Sequence, residues 1–185
     1  LLVGYSGGLD STVLLHLLAA DPAVRARGLR ALHVDHGLHP QSSAWGEACA
    51  ANCRALGVPL QVVRVQVRPD GDGLEAAARN ARHAAFAGAL QPGELLATAH
   101  HRDDQAETVL LRLLRGAGDG LAAMRPLRPF AAGWLWRPLL AIPRADLEAY
   151  AREHALHWLE DPSNASDRHD RNFLRHHVLP RLQER

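Results

Sequence analysis

Lysine is absent from this chain: its 21 basic residues other than histidine are all arginine, set against 20 acidic residues and 12 histidines. That excludes a Walker A loop, whose glycines are followed by a lysine, and any Schiff base formed on a lysine. The bias itself reads as an effect of coding-DNA base composition. Long apolar runs are missing too. None approaches the roughly 20 residues that a membrane helix needs, and no signal peptide is recognisable. Cysteine is nearly missing. Cys49 and Cys53 stand four apart on an expected helix, a spacing that suits two half-buried small side chains and fits neither a CxxC redox pair nor a zinc pair. A reducing cytoplasm is the natural setting. The net charge of +1 lacks the whole-domain basic signature of a nucleic-acid binder. No internal repeat or low-complexity tract is visible.

What is present suits one ordinary globular core: 185 residues, 47% of them hydrophobic, enough to bury a single domain-sized interior. Apolar runs alternate with helical patterns. Strands are expected at residues 1–5, 29–34, 60–67 and 94–99. Helices are expected at 11–20, stopped by Asp21-Pro22, and at 42–56, 74–90 and 104–115, the last with Val109, Leu110, Leu113 and Leu114 on its buried side. Such alternation implies right-handed crossovers and an α/β fold, a Rossmann-like parallel sheet with helices on both faces. In that architecture ligands bind outside the carboxyl ends of the strands, at the switch in strand order. The polar clusters at residues 6–11, 33–36 and 100–104 all follow strands, so they are expected to converge on one crevice. Past Gly116 the pattern changes. A strand at 134–140 and a helix at 143–154 follow, then a polar, turn-rich stretch at 158–172, and a helix from Arg171 onward. The first residues read as a strand already under way, so the natural chain is expected to begin earlier.

The sharpest motif is Ser6-Gly7-Gly8-Leu9-Asp10-Ser11, lying between a strand and a helix. Two glycines let backbone N–H groups turn inward, and the helix start adds positive dipole character, which together make an anion cradle. The Ser6 and Ser11 hydroxyls can add hydrogen bonds, and Asp10 can hold a magnesium ion on bound phosphates. By spacing alone, a Ser-capped glycine turn explains the loop equally well. A second cluster runs from Ala97 to Thr108 and includes His100, His101, Asp103, Asp104 and Glu107. Asp104 and Glu107, three apart, share one face of a helix's first turn, a place for a cationic ligand or a metal. Helix-dipole preference would also account for Asp103 and Asp104, though not for the adjacent histidines. A metal hydrolase is disfavoured because no HExxH-type spacing occurs.

As a whole string, Ser-Gly-Gly-x-Asp-Ser after a buried strand resembles the PP-loop of the ATP pyrophosphatase superfamily, whose fold is adenine nucleotide alpha hydrolase-like and whose members cleave ATP between the α and β phosphates. Within it, the run from Ala97 to Thr108 is similar to the signature of the tRNA(Ile)-lysidine synthetases. So are His33-Val34-Asp35-His36-Gly37-Leu38, Glu75-Ala76-Ala77-Ala78-Arg79, Arg115-Gly116-Ala117-Gly118, Arg137-Pro138-Leu139-Leu140, Glu160-Asp161-Pro162-Ser163-Asn164 and Arg171-Asn172-Phe173. These motifs span the chain in the family's order.

The resemblance implies a ligase that uses ATP and magnesium. It adenylates the wobble cytidine in the CAU anticodon of tRNA(Ile), and the amine of L-lysine then displaces AMP. Ser6, Gly7, Gly8, Leu9, Asp10 and Ser11 would hold the ATP phosphates, with Asp10 on magnesium and His33 and Asp35 bordering the adenosine. Arg79 would face the α-phosphate, or else pair with Glu75 on a solvated face. His100 would meet phosphate or the reacting base, or else brace a loop. Asp104, Glu107 and Arg171 would bind lysine, one of the carboxylates taking its proton. Trp136 and Trp158 are expected in the core. Arg168, Arg171 and Arg175, with their neighbouring histidines, read as a local basic edge or a solvated helix. The expected division is 1–140 as the catalytic unit and 141–185 as a helical extension completing the site and leading to C-terminal tRNA-binding domains. A cytoplasmic enzyme with no membrane partner is implied, and a homodimer is compatible with it. The alternatives are another PP-loop tRNA-modifying enzyme, such as a thiolation enzyme, or a small-molecule amidoligase.

Overall fold

The computed structural model describes residues 1–38, 42–67, 73–116, 123–160 and 170–184. Motif residues 117–118 and 161–164, and the Arg168 and His169 part of the basic edge, lie outside them. Six strands form one sheet: β1 (Leu2–Gly4), β2 (Arg30–Asp35), β3 (Leu60–Arg64), β4 (Leu95–Ala97), β5 (Leu127–Phe130) and β6 (Gly133–Trp136), in the order β3-β2-β1-β4-β6-β5. All neighbouring pairs are parallel except the β5–β6 hairpin. The chain works outward from β1 through β2 to β3, then returns to lay β4 on the other side of β1. That reversal is the switch point of an open α/β sheet, and it lies between the loops after β1 and after β4.

Helices α1 (Leu9–Ala20), α3 (Ser42–Ala55) and α6 (Arg144–Glu153) cover one face, burying Val13, Leu14, Leu15, Cys49, Cys53 and Leu147. Trp136 and Trp158 pack against this core, as expected. The other face is covered by α4 (Leu74–Ala89), whose Phe86 meets Leu2, Leu32, Leu96 and Leu135. The central strands are short and buried on both faces, which is why they read as continuous apolar runs.

The differences from the sequence reading have physical causes. Asp21-Pro22 does end α1, but it also starts a short helix, α2 (Pro22–Ala26): Asp21 Oδ1 accepts from the amides of Ala23 and Val24, and proline occupies the first turn, where its missing N–H costs nothing. The valine run at 60–67 pairs only to Arg64, because its partner β2 ends at Asp35. The apolar stretch at 134–140 is a strand only to Trp136. The unexpected β5 contains Pro129 and sits at the sheet edge, the place where a strand tolerates proline. Finally, α5 (Arg102–Leu114) buries less than its pattern suggested. Val109 and Leu110 are half-buried, whereas Leu113 and Leu114 are 56% and 71% exposed. This helix projects beyond the sheet and packs against α7 (Asp170–Phe173) and the π-helical turn Leu174–Val178 that precedes α8 (Leu179–Gln183). No helix among the described residues is long and apolar enough to cross a membrane.

Candidate active site

The glycine loop hangs from the carboxyl end of β1. Ser11 Oγ accepts from the Ser6 amide and donates to the Gly8 carbonyl, and Thr12 Oγ1 donates to Gly7 O. These bonds clamp the loop onto the first turn of α1. Gly8 caps that helix without a side chain, and among the described residues no hydrogen bond engages the amides of Leu9, Asp10 and Ser11. Unsatisfied first-turn amides at a positive helix end are an anion site. Gly7 sits at φ +84°, where a Cβ would fall 2.7 Å from Leu159 Cδ1 and 2.8 Å from Cys49 Sγ. The Leu159 amide also donates to Gly7 O at 2.8 Å, so the segment after α6 braces the loop from behind.

Asp10 divides its carboxylate. Oδ2 lies 3.7 Å from His101 Nε2, while Oδ1 is buried with no partner. Burial alone would raise its pKa. The close approach and charge of His101, with Arg144 and Arg175 beyond, outweigh that and hold it below the ordinary carboxylate value. His101, only 1% exposed, is the hub of the crevice. It caps α5 through Nδ1, which accepts from the Asp104 amide, while Asp104 Oδ2 accepts from the His101 amide, a reciprocal capping box. Burial opposes its charge, yet Asp10, Asp104 and Asp103 prevail and hold its pKa above the ordinary histidine value. Asp103 Oδ2 accepts from the Arg144 amide, tying α5 to the start of α6.

The structure brings Asp104 and Glu107 together, though Glu107 lies in the second turn of α5. Glu107 is 0% exposed. Its Oε1 accepts from Arg175 Nε at 2.7 Å, Arg171 Nε lies 3.9 Å from Oε2, and Oε2 has no hydrogen-bond partner. Arg175 also lies 3.7 Å from Asp104 Oδ1, and Arg171 Nη2 donates to Thr108 Oγ1. The π-helical turn carries Arg175 into this contact, and such turns are frequent at functional sites.

His100 sits across the crevice in cationic surroundings, its Nδ1 sharing a 2.9 Å hydrogen bond with Thr98 Oγ1. Burial first, then the guanidiniums of Arg137, Arg171, Arg79 and Arg82, push its pKa down to about 3, so at neutral pH it is an uncharged imidazole. Arg79 is exposed on α4, where the Glu75 carboxylate favours its charge. His33 and Asp35 do lie beside the loop on β2, but both are buried and engaged. His33 Nδ1 contacts Tyr5 O, and Asp35 Oδ1 accepts from the Gly37 amide. His101 and Arg175 escaped the sequence reading as site residues. A histidine placed just before two aspartates at a helix start, and an arginine one turn after Arg171, were the available signals.

The folded His100 resists a proton that the unfolded chain accepts below about pH 6.5, the ordinary histidine value. Stability is therefore expected to fall as pH drops from that value toward the folded pKa, by up to about 1.4 kcal/mol per pH unit from this group. Thermal unfolding between about pH 7 and about pH 5 checks this. His100→Gln should flatten the slope, and an unchanged slope would count against the assignment.

A family model described as a PP-loop domain matches residues 1–182. The chain is 69% identical over 186 residues to the tRNA(Ile)-lysidine synthase of Xanthomonas axonopodis pv. citri, covering 100% of this chain and 42% of that protein. It is 62% identical to the enzyme of the same name from Xylella fastidiosa, covering 100% and 42%. For that of Pseudomonas aeruginosa the identity is 57%, covering 97% and 41%. The chain thus spans less than half the length of the curated relatives it matches. Among solved structures, a U34-tRNA thiolase from Methanococcus maripaludis with its [4Fe-4S] cluster aligns over 96% of this chain and 67% of its own, with a TM-score of 0.67 and 21% identity. That likeness concerns the fold.

Proposed function

We propose that this chain, which belongs to the PP-loop domain family, is the catalytic part of a tRNA(Ile)-lysidine synthase acting in the cytoplasm on ATP, L-lysine and the wobble cytidine of a CAU anticodon. The observation that carries the reading is the crevice itself. An anion cradle and a buried carboxylate site for a cation share one network, Asp10 to His101 to Asp104 at 3.7 and 3.5 Å. A reaction that uses ATP to attach a cationic amine needs both sites within reach of one reacting carbon.

The free amides of Leu9, Asp10 and Ser11 take up phosphate charge, with the Ser6 and Ser11 hydroxyls beside them. Asp10 offers its unpartnered Oδ1 to magnesium, which fits one buried and otherwise orphaned carboxylate oxygen; when bound, the ion neutralises charge on the departing pyrophosphate. Arg79 faces the α-phosphate and, as a fork of fixed donors, stabilises the charge that develops there. The cytidine base oxygen attacks that phosphorus and pyrophosphate leaves. Neutral His100 stands beside the reacting base, where it gives or accepts a hydrogen bond without adding charge. Glu107, with Asp104, holds the substrate lysine and takes the proton its amine loses as it attacks the activated carbon and AMP departs. Arg171 suits the lysine carboxylate. His33 and Asp35 line the adenosine side from below. In the proposed division, residues 141–185 complete this site through Arg171, Arg175 and Leu159.

Thiolation is disfavoured by a specific observation. Cys49 and Cys53 are free and buried in the core, Cys49 against the back of the glycine loop, and their pKa values are pushed up by burial to about 12 and about 11. Neither is a thiolate for sulfur transfer at neutral pH. The test is mass spectrometry of nucleosides from tRNA(Ile) incubated with the protein, magnesium ATP and isotopically labelled lysine. A labelled lysine adduct on cytidine is expected. AMP release without the adduct would sink the lysine assignment while leaving a PP-loop synthetase.

A further inference from the structure

The charges around the crevice are segregated. Asp10, Asp103, Asp104 and Glu107 crowd the α5 side. On the other side, where β4 and β6 end and β5 begins, cations predominate. Register places them there. Ala97 pairs with Trp136, so His100 and Arg137 leave neighbouring strands at one level, and Arg128 pairs with Leu135. Arg128 lies over the Phe130 ring at 5.5 Å, and that ring meets His83 of α4 at 6.0 Å. Arg82 is the residue next to His83, and Arg79 lies one turn earlier. Arg137 is only 7% exposed; its Nη1 donates to the Arg125 carbonyl, while its Nε has no acceptor. It also lines a cavity of about 290 Å³ with Met124, Pro126 and Leu140. No ion pair or hydrogen bond among the described residues holds the Arg82 guanidinium. Burial and the repulsion of their neighbours lower the pKa values of Arg79, Arg82 and Arg137, and Glu75 is the acid that offsets the first two. Like charges gathered with so little compensation are costly in isolation and favourable once an anion arrives.

We propose that Arg82, Arg128 and Arg137 form a phosphodiester-binding strip that holds the RNA backbone beside the reacting base, with Arg79 at its boundary toward the nucleotide. The inference rests on the reading that an RNA is modified here. Two features favour a polynucleotide over a second nucleotide phosphate. The nucleotide already has its cradle at the glycine loop. The arginines come from three separate places in the chain, α4, β5 and the turn after β6, and each can grip phosphate through its guanidinium fork. The whole chain carries a net charge of only +1, so the strip is a local device.

The experiment measures binding of a fluorescein-labelled RNA hairpin with CAU in its loop to the 185-residue chain, by anisotropy across a range of KCl concentrations. Wild type is compared with the double variant Arg82→Gln, Arg128→Gln and with Arg82→Lys, Arg128→Lys. Neither position is in the hydrophobic core, and a thermal midpoint confirms folding. The glutamine pair should weaken RNA binding about tenfold or more and lower the salt slope by about 0.7 for each lost phosphate contact, with the lysine pair intermediate. Affinity for a fluorescent ATP analogue should stay within about twofold, since among the described residues no hydrogen bond joins Arg82 or Arg128 to the glycine loop. Unchanged RNA affinity and slope overturn the proposal, as does wild type that binds no RNA. Loss of ATP affinity with RNA binding kept assigns the strip to the nucleotide instead. The reading of function fails separately, by absence of the lysine adduct.

Discussion

Asp10→Asn is expected to cut pyrophosphate release from ATP by about a hundredfold or more, the scale seen when a charge-stabilising group is removed from a reacting centre. The expectation follows from how Asp10 divides its oxygens. Oδ2 is turned to His101, and Oδ1 is buried without a partner at the mouth of the anion cradle. Asparagine keeps the shape and an acceptor for His101 but has no charge with which to hold a divalent cation on the phosphates. The fold should survive. The Asp10 side chain is 33% exposed, and His101 keeps Asp103 and Asp104 at 3.6 and 3.5 Å, so the lost pair is worth about 0.2–1 kcal/mol. The depressed pKa of Asp10 adds stability that is present above the ordinary carboxylate pKa and fades as pH falls through the lower folded value. The variant should therefore differ least from wild type in acid. A phosphate-release assay coupled to pyrophosphatase, run beside thermal unfolding, separates the two effects. Near-normal turnover in a folded variant would remove Asp10 from the chemistry.

The order of strands and helices was readable because each βα unit is local. Apolar runs such as Leu1-Leu2-Val3 and Leu95-Leu96-Ala97 belong to the buried central strands; Gly4 closes the first, and Thr98 follows the second. The glycine loop was readable for the same reason, since six consecutive residues make it. What escaped is what the chain assembles from afar. Arg175 reaches Glu107 across 68 residues, and nothing local distinguishes it from a solvated helix charge. His101 became the hub because the fold lays the start of α5 against Asp10. A sequence pattern could place His100 and His101 in the crevice but could not assign one to the carboxylates and the other to the arginines. The partial exposure of α5 escaped for the opposite reason. Its apolar spacing is regular, but the helix runs past the sheet. The strip of Arg82, Arg128 and Arg137 joins residues from three places in the chain: strand register brings Arg128 beside the turn that carries Arg137, while Arg82 comes from α4 next to His83.

That geometry also changes which carboxylate best tests the lysine site. Asp104→Ala would remove half of the capping box at α5 and one of the acids on His101, so losses in both steps would follow from the helix start alone. Glu107→Gln is the cleaner substitution. Glu107 takes no part in capping, it is fully buried, and its Oε2 is an acceptor without a hydrogen-bond partner beside Arg171. A substrate ammonium placed there gains a desolvated charge pair, the kind of contact whose truncation costs about 2–5 kcal/mol. The KM for lysine is accordingly expected to rise by about a hundredfold, while adenylation of the tRNA in the absence of lysine stays within about threefold, because the anion cradle is untouched. Some stability will be lost, since Arg175 and Arg171 then face a neutral amide; Glu107→Asp, which keeps the charge on a shorter stem, serves as the folded control. Labelled AMP trapped on tRNA reads the first step and lysine incorporation reads the second. Equal loss of both steps in a folded Gln variant would mean that Glu107 shapes the crevice through Arg175, and that the lysine ammonium is held elsewhere.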